Sequence, residues 1–248
     1  MTITIQSLKD TIAALGYKWF EDQPNIIGIR TKLQVPDSFN DILCIVYKQF
    51  AMPSGLSDLD KQKWLNSLSF KDDNSNPLKE DGDFGTRSKQ AYAEYESVLG
   101  KERLYTATIT TEPGTTYQKK LLNSKGCWVM MPAQMINAYK SGFHQGKKDH
   151  RCLQSFGKIF GLREDDKDGI LFNDKDAVAS WVEGNTVGAN IHGANKTHDT
   201  VVVGPWSAGC QVHSRWNKKE EMMDIVDAYK GVNKGWVTYT LINETDLK

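Results

Sequence analysis

The chain has 248 residues, 39% of them hydrophobic and seven of them tryptophan, enough to build a core in one large domain or two small ones. Lysine plus arginine equals aspartate plus glutamate, 31 of each, which excludes a general polyanion binder and makes nucleic acid an unexpected partner. Cys44, Cys127, Cys152 and Cys210 show neither a C-x-x-C spacing nor a paired Cys/His ligand motif, so reduced thiols are expected rather than a zinc site or redox dithiol. Residues 1–10 lack a basic region followed by a continuous apolar run, and no stretch approaches the roughly 18 apolar residues of a membrane span. The expectation is synthesis in the cytoplasm without a signal peptide, and no membrane span.

Ser7 to Gly16 reads as a short capped helix, with Leu8, Ile12 and Leu15 at helical spacing. Asn25 to Thr31 and Asp41 to Lys48 have the apolar character of strands, separated by a turn around Pro36-Asp37-Ser38. From about Met52 the character changes. Asp58 to Leu68 carries Leu59, Trp64, Leu65 and Leu68 at helical spacing, and a polar loop follows to Pro77. Asp81-Gly82-Asp83-Phe84-Gly85 precedes a helical run from Thr86 to Leu99, with Ala91, Tyr92 and Tyr95 on one side. This phrase resembles the turn-helix signature of peptidoglycan-binding modules, and equally fits an Asx-type turn capping an ordinary amphipathic helix.

Tyr105 to Thr111 alternates as a strand, Glu112-Pro113-Gly114 turns the chain, and Cys127 to Met131 reads as a buried strand with Cys127 as packing. Glycines flank His144 in Ser141–Gly146, so His144 either lines a cleft and hydrogen-bonds a substrate carboxylate or carbonyl, or caps a turn. His150 and His198 sit among Lys and Asp and read as solvated loop residues. Arg163 to Gly169 has the acid spacing of a calcium loop without the downstream bidentate Glu, so a solvated turn between two strands is expected. Ala177 to Trp181 reads as a short helix before a Gly184-Asn185 turn, and Val201 to Val203 as a short buried strand broken by Gly204-Pro205. Lys218 to Tyr229 has helical spacing, and Trp236 to Ile242 alternates as a closing strand.

The chemistry concentrates near Asn190-Ile191-His192-Gly193. Cys210 follows His192 by 18 positions, in a Ser-x-Gly-Cys turn. A cysteine attacks as its thiolate, which needs an imidazole or another positive environment to draw down a pKa of about 8.5. The small run Ser207-Ala208-Gly209 lets backbone N–H groups approach a reacting carbonyl, as an oxyanion hole requires. The same residues also fit a packed cysteine and a structural histidine.

His-Gly followed by Ser-x-Gly-Cys at this separation resembles the signature of the L,D-transpeptidases, which remodel peptidoglycan through a cysteine acyl-enzyme. The resemblance implies Cys210 as nucleophile, His192 as general base, and Gly193 as the residue whose carbonyl orients the imidazole. It departs from the family pattern at Ala208, where a second histidine is usual, and at Val212, where Arg or Asn is usual. Asn25–Arg30, Ser38–Asp41, Thr108–Gly114, Ser141–Gly146, Arg163–Asp165 and Trp206–Val212 look more closely like a branch of such proteins in phages and bacteria, in which the Ser-Ala-Gly-Cys form is ordinary. That match covers about three-quarters of the chain and leaves out 51–103.

The implied fold is α+β, mostly β: a barrel or sandwich core with flanking helices. Residues 1–50 and 104–248 would form the catalytic domain, and 51–103 a helical insertion with the peptidoglycan-binding-like phrase. The implied activity is a cysteine acyltransferase or peptidase acting on peptidoglycan stem peptides, as transferase or hydrolase. Ala208, Gly209 and Cys210 would form the oxyanion hole, and His144, Asn190, Trp206, Ser207 and Gln211 the substrate cleft. No metal or other cofactor is expected. A wall-active chain without its own export signal would be a phage lysin released through a holin-type pore or an antibacterial effector carried by delivery machinery, acting at the cell wall or periplasm. The alternative is a non-catalytic wall-binding or phage structural module using the same cleft.

Overall fold

The computed structural model describes residues 2–31, 37–120, 125–164, 167 and 178–248. In chain order these form α1 (Ile5–Ala14), β1 (Asn25–Arg30), β2 (Asp41–Lys48), α2 (Asp58–Ser67), α3 (Thr86–Val98), β3 (Glu102–Thr110), α4 (Thr115–Lys119), β4 (Cys127–Met130) and β5 (Ala133–Phe143). Then follow β6 (Arg151–Ser155), β7 (Lys158–Glu164), β8 (Ser180–Glu183), α5 (Gly184–Val187), β9 (Ile191–Gly193), β10 (Gln211–His213), α6 (Trp216–Ala228) and β11 (Trp236–Asn243). The protein is mixed α and β, mostly sheet, and divides into two compact units, 1–46 with 104–248, and 47–103.

In the first unit eight strands close into a barrel in the order β1-β11-β5-β6-β9-β10-β3-β2, and β4, β7 and β8 form a separate sheet. Closure removes the unpaired edges that an open sheet would expose. Helix α1 lays Leu8 and Ile12 on Ile27, Ile29, Cys44, Val46 and Ile242, an apolar cluster shared by β1, β2 and β11. Burying each such side chain stabilises the fold by roughly 1.5–3 kcal/mol. Its N-cap is Thr4 rather than Ser7. Thr4 Oγ1 accepts the Ser7 N–H at 3.0 Å and Ser7 Oγ accepts the Thr4 N–H at 3.0 Å, a reciprocal pair that places the helix start three residues closer to the N-terminus. Buried Arg30 donates from Nε to Thr111 Oγ1 at 3.0 Å and from Nη2 to Met130 O at 2.8 Å, and the Asp41 carboxylate accepts the Thr111 N–H at 2.8 Å.

Three expectations change. Ser180 and Trp181, read as the end of a helix, belong to β8, where Phe160 pairs with Trp181; Ala177 lies outside the described residues. Val201 and Val202 are exposed and only Val203 is buried, because β9 and β3 already occupy both sides of β10 and leave this run a single bridge, Val202 to Ser38. Strand β5 has no counterpart in the sequence pattern. Asn137 at φ 51° and a register shift against β11 between Val237 and Tyr239 break its alternation. Of the solvated turn expected over Arg163 to Gly169, residues 165, 166, 168 and 169 lie outside the described residues.

The second unit packs α2 and α3 through aromatic edges: Trp64 meets Tyr95 at 5.1 Å between centroids and Phe50 at 5.9 Å. Buried Gln62 holds the Asp81–Gly85 loop. Its Oε1 accepts the Asp81 and Gly82 N–H groups at 3.1 and 2.8 Å, and its Nε2 donates to Asp83 O at 2.8 Å. Asp81 Oδ1 accepts the Asp83 N–H at 3.0 Å, an Asx turn just ahead of α3.

Candidate active site

Parallel pairing of β9 with β10 sets Val212 opposite His192, and Gln211 N donates to Asn190 O at 2.9 Å. That register brings Cys210, the residue before β10, to the mouth of the strand pair. His192 and Cys210 line one cleft of about 860 Å³, together with His144, Asn190, Trp206 and Ala208. Asn190 also ties the strands below, its Oδ1 accepting the Ser155 N–H at 3.1 Å.

His192 is 2% exposed, and its Nδ1 lies 2.9 Å from Gly193 O. A carbonyl can only accept, so this contact assigns the proton to Nδ1 and leaves Nε2 as the basic nitrogen. Nε2 is buried and has no hydrogen-bond partner among the described residues. Burial, reinforced by the neighbouring His144 ring, holds the His192 pKa well below its ordinary value, so the ring is neutral at pH 7. The thiol of Cys210 is pushed up to about 11 by burial, opposed by a backbone hydrogen bond from Asn190. Its Sγ donates to Gly188 O at 3.5 Å. Thiol and imidazole are therefore both neutral and not hydrogen-bonded to each other, so His192 does not supply the positive charge that would draw the thiol pKa down.

The turn before Cys210 is fixed at several points. Asp37 Oδ1 accepts the N–H groups of Gly204 at 2.7 Å and Thr115 at 3.0 Å. Trp128 N donates to Ala208 O at 3.0 Å, and Ser207 Oγ donates to Cys210 O at 2.8 Å. Gly209 sits at φ +130°, where a Cβ would lie 2.6 Å from Trp128 O, so both conformation and space require glycine.

Three expected roles do not fit these contacts. The Gly209 N–H already donates to Ser207 Oγ at 3.2 Å, which leaves the Ala208 and Cys210 N–H groups as the donors of this turn. Ser207 is fully buried and braces the turn rather than facing a ligand. Gln211 is fully buried as well, its Oε1 accepting from Tyr239 Oη at 3.0 Å and its Nε2 donating to Thr111 O at 3.4 Å, which turns it away from the cleft.

His150, read as a solvated residue, lines the cleft. The 144–150 loop folds back on itself: His144 N donates to His150 O at 2.8 Å and His150 N to Lys147 O at 2.9 Å, with Gln145 and Gly146 at positive φ. The result is a cluster of three imidazoles. His144 stacks on His192 with centroids 4.0 Å apart, and His150 lies 4.9 Å from His144 and 5.5 Å from His192. His198 is exposed and lies outside the cluster. Trp128, Arg163, Gly188 and Trp216 also line the cleft without having been anticipated. They lie on separate elements, so no local sequence spacing joins them.

Among the described residues no group of three His, Cys, Asp or Glu side chains is placed to hold a metal ion, and no helix is long and apolar enough to cross a membrane. Comparison with protein-family models, curated proteins and solved structures gives no match for this chain. The L,D-transpeptidase resemblance therefore rests on the motif residues themselves.

Proposed function

We propose that the protein is a cysteine-dependent peptidoglycan-processing enzyme of the L,D-transpeptidase or L,D-carboxypeptidase type. The observation that carries this reading is the shared cleft of Cys210 and His192, with the His192 tautomer set by Gly193 so that the free nitrogen is the basic one. His192 Nε2 takes the Sγ proton as sulfur bonds to the carbonyl carbon of a stem peptide. The Ala208 and Cys210 N–H groups stabilise the oxyanion. Collapse of the tetrahedral intermediate breaks the C–N bond, and the proton on His192 passes to the leaving amine. The remaining thioester is attacked by an amine, giving transpeptidation, or by water, giving trimming.

Because the free protein holds a neutral thiol bonded to Gly188 O, substrate entry must turn Sγ toward His192 Nε2 before proton transfer. The proposed setting is the cell wall, reached as a phage lysin or a delivered antibacterial effector. A peptidoglycan-binding role for residues 51–103 belongs to the same proposal. The test is turnover of purified muropeptides by the intact chain and by Cys210→Ala; equal turnover by both proteins rejects the mechanism.

The absence of a Cys210–His192 hydrogen bond favours one second reading, a wall-binding or phage structural module that holds a stem peptide without cleaving it. Binding to insoluble peptidoglycan with no change in any muropeptide supports that reading.

A further inference from the structure

The 144–150 loop brings two imidazoles to the cleft that the proposed acyl transfer does not use. His144 Nδ1 and His150 Nε2 are both buried from solvent, and neither has a hydrogen-bond partner among the described residues. Leaving a buried polar nitrogen unpaired is costly, so two in one loop mark a place built for a partner. The rings are held firmly: His144 is stacked on His192, and His150 packs against Trp216 at 4.6 Å between centroids.

The surroundings decide the charge of that partner. Lys147, Lys196 and Arg163 line the same cleft, against a single acid, Asp149, which is paired with Lys196. Lys147 and Arg163 have no carboxylate partner among the described residues. The His144 and His150 rings lie 4.9 Å apart at 49° to each other, and among the described residues no group of three His, Cys, Asp or Glu side chains is placed to hold a metal ion, so two acceptor oxygens suit the pair better than one metal ion. Two N–H donors on neighbouring rings within a net cationic cleft match the two oxygens of a carboxylate.

We propose that His144 and His150 together form a carboxylate-binding subsite, taking the free carboxylate of a ligand whose reacting carbonyl lies at Cys210. The assignment rests on the reading of this cleft as the stem-peptide site and names the group that reading leaves without a partner. Titratable and charged groups facing the pair are His192, Lys147, Asp149, Lys196 and the buried Lys219. All but Asp149 disfavour a proton on the rings, and burial is the first cause in both. His150 is held at about 4 and His144 below its ordinary value. A bound carboxylate reverses that balance and favours the protonated rings. Binding therefore takes up protons and strengthens as pH falls from neutral.

The experiment uses the 248-residue chain carrying Cys210→Ala, which on the proposed mechanism cannot turn over, and follows its histidine ring resonances by NMR. N-acetyl-D-alanine is titrated at pH 7 and pH 5, with N-acetyl-D-alanine amide as the uncharged control. The expected result is saturable shifts at His144 and His150 with the acid, tighter at pH 5, and none with the amide. A His150→Gln change in the same protein weakens binding roughly tenfold, the loss of one charge-assisted hydrogen bond, while a circular-dichroism melt matches that of the parent. Equal binding of acid and amide, or unchanged affinity in folded His150→Gln, overturns the proposal. Acid binding by a protein whose wild-type form processes no muropeptide keeps the subsite and removes the acyl-transfer reading. Muropeptide turnover with an unchanged KM in His150→Gln does the reverse.

Discussion

The His144 ring lies on the His192 ring with centroids 4.0 Å apart and 26° between their planes. The loop between β5 and β6 thus forms a roof over the basic nitrogen's own ring, and it keeps that ring dry and neutral. Replacing His144 with Ala is expected to raise the His192 midpoint toward the ordinary histidine value near 6.5, because it admits water and removes a like charge. NMR titration of the His192 ring measures this, and an unchanged midpoint contradicts the role assigned to the stack.

Alkylation of Cys210 reports whether thiolate and imidazolium preexist as a pair. With the thiol at about 11 and His192 neutral, the iodoacetamide rate in the free protein is expected to climb continuously from pH 7 past pH 9. A plateau reached below pH 8 means an ion pair is already formed, and the neutral resting state is wrong.

Acid stability follows from buried His213, fully inaccessible, with Nε2 3.3 Å from Met222 Sδ and Nδ1 unpartnered among the described residues. Burial holds its pKa at about 3. The unfolded chain binds this proton below about 6.5 and the folded chain only near 3, so the unfolded state gains protons first as pH falls. Stability is full above about 6.5 and is lost downward through that window at about 1.4 kcal/mol per pH unit for this one group. Urea unfolding between pH 6 and pH 4 should show His213→Leu removing that much slope; an unaltered slope rejects the assignment.

Gly209 carries the position of Cys210. Gly209→Ala must leave φ +130° or push aside Trp128 O, and strain of this kind costs about 1–3 kcal/mol. The expected outcome is a lowered unfolding midpoint together with loss of Cys210 reactivity in the protein that remains folded. Retained reactivity shows that the turn tolerates the change.

Much of the barrel was legible because its strands carry their own pattern: β2 begins and ends at the expected residues, and β1 is buried along its whole length. The pattern fails where burial is not periodic. Asn137 and the β5–β11 irregularity hide the longest strand, and the valines at 201 and 202 have strand character but are exposed, with a single bridge from Val202 to Ser38. At the site, His192, Cys210 and Gly193 could be named from a local motif because two adjacent strands hold them. His150 could not, because Lys and Asp around it give the composition of a solvated loop, and only the backbone contacts between His144 and His150 turn its ring inward. Gln211 and Ser207 sit close to Cys210 in sequence, yet their side chains serve the barrel and the turn.

The most direct test of the account is mass spectrometry of purified muropeptides incubated with wild-type protein and with Cys210→Ala, with and without an added D-amino acid. Wild type alone is expected to remove a terminal D-alanine or exchange it for the added amino acid. Unchanged muropeptides with both proteins, each shown to be folded, contradict the acyl-transfer reading.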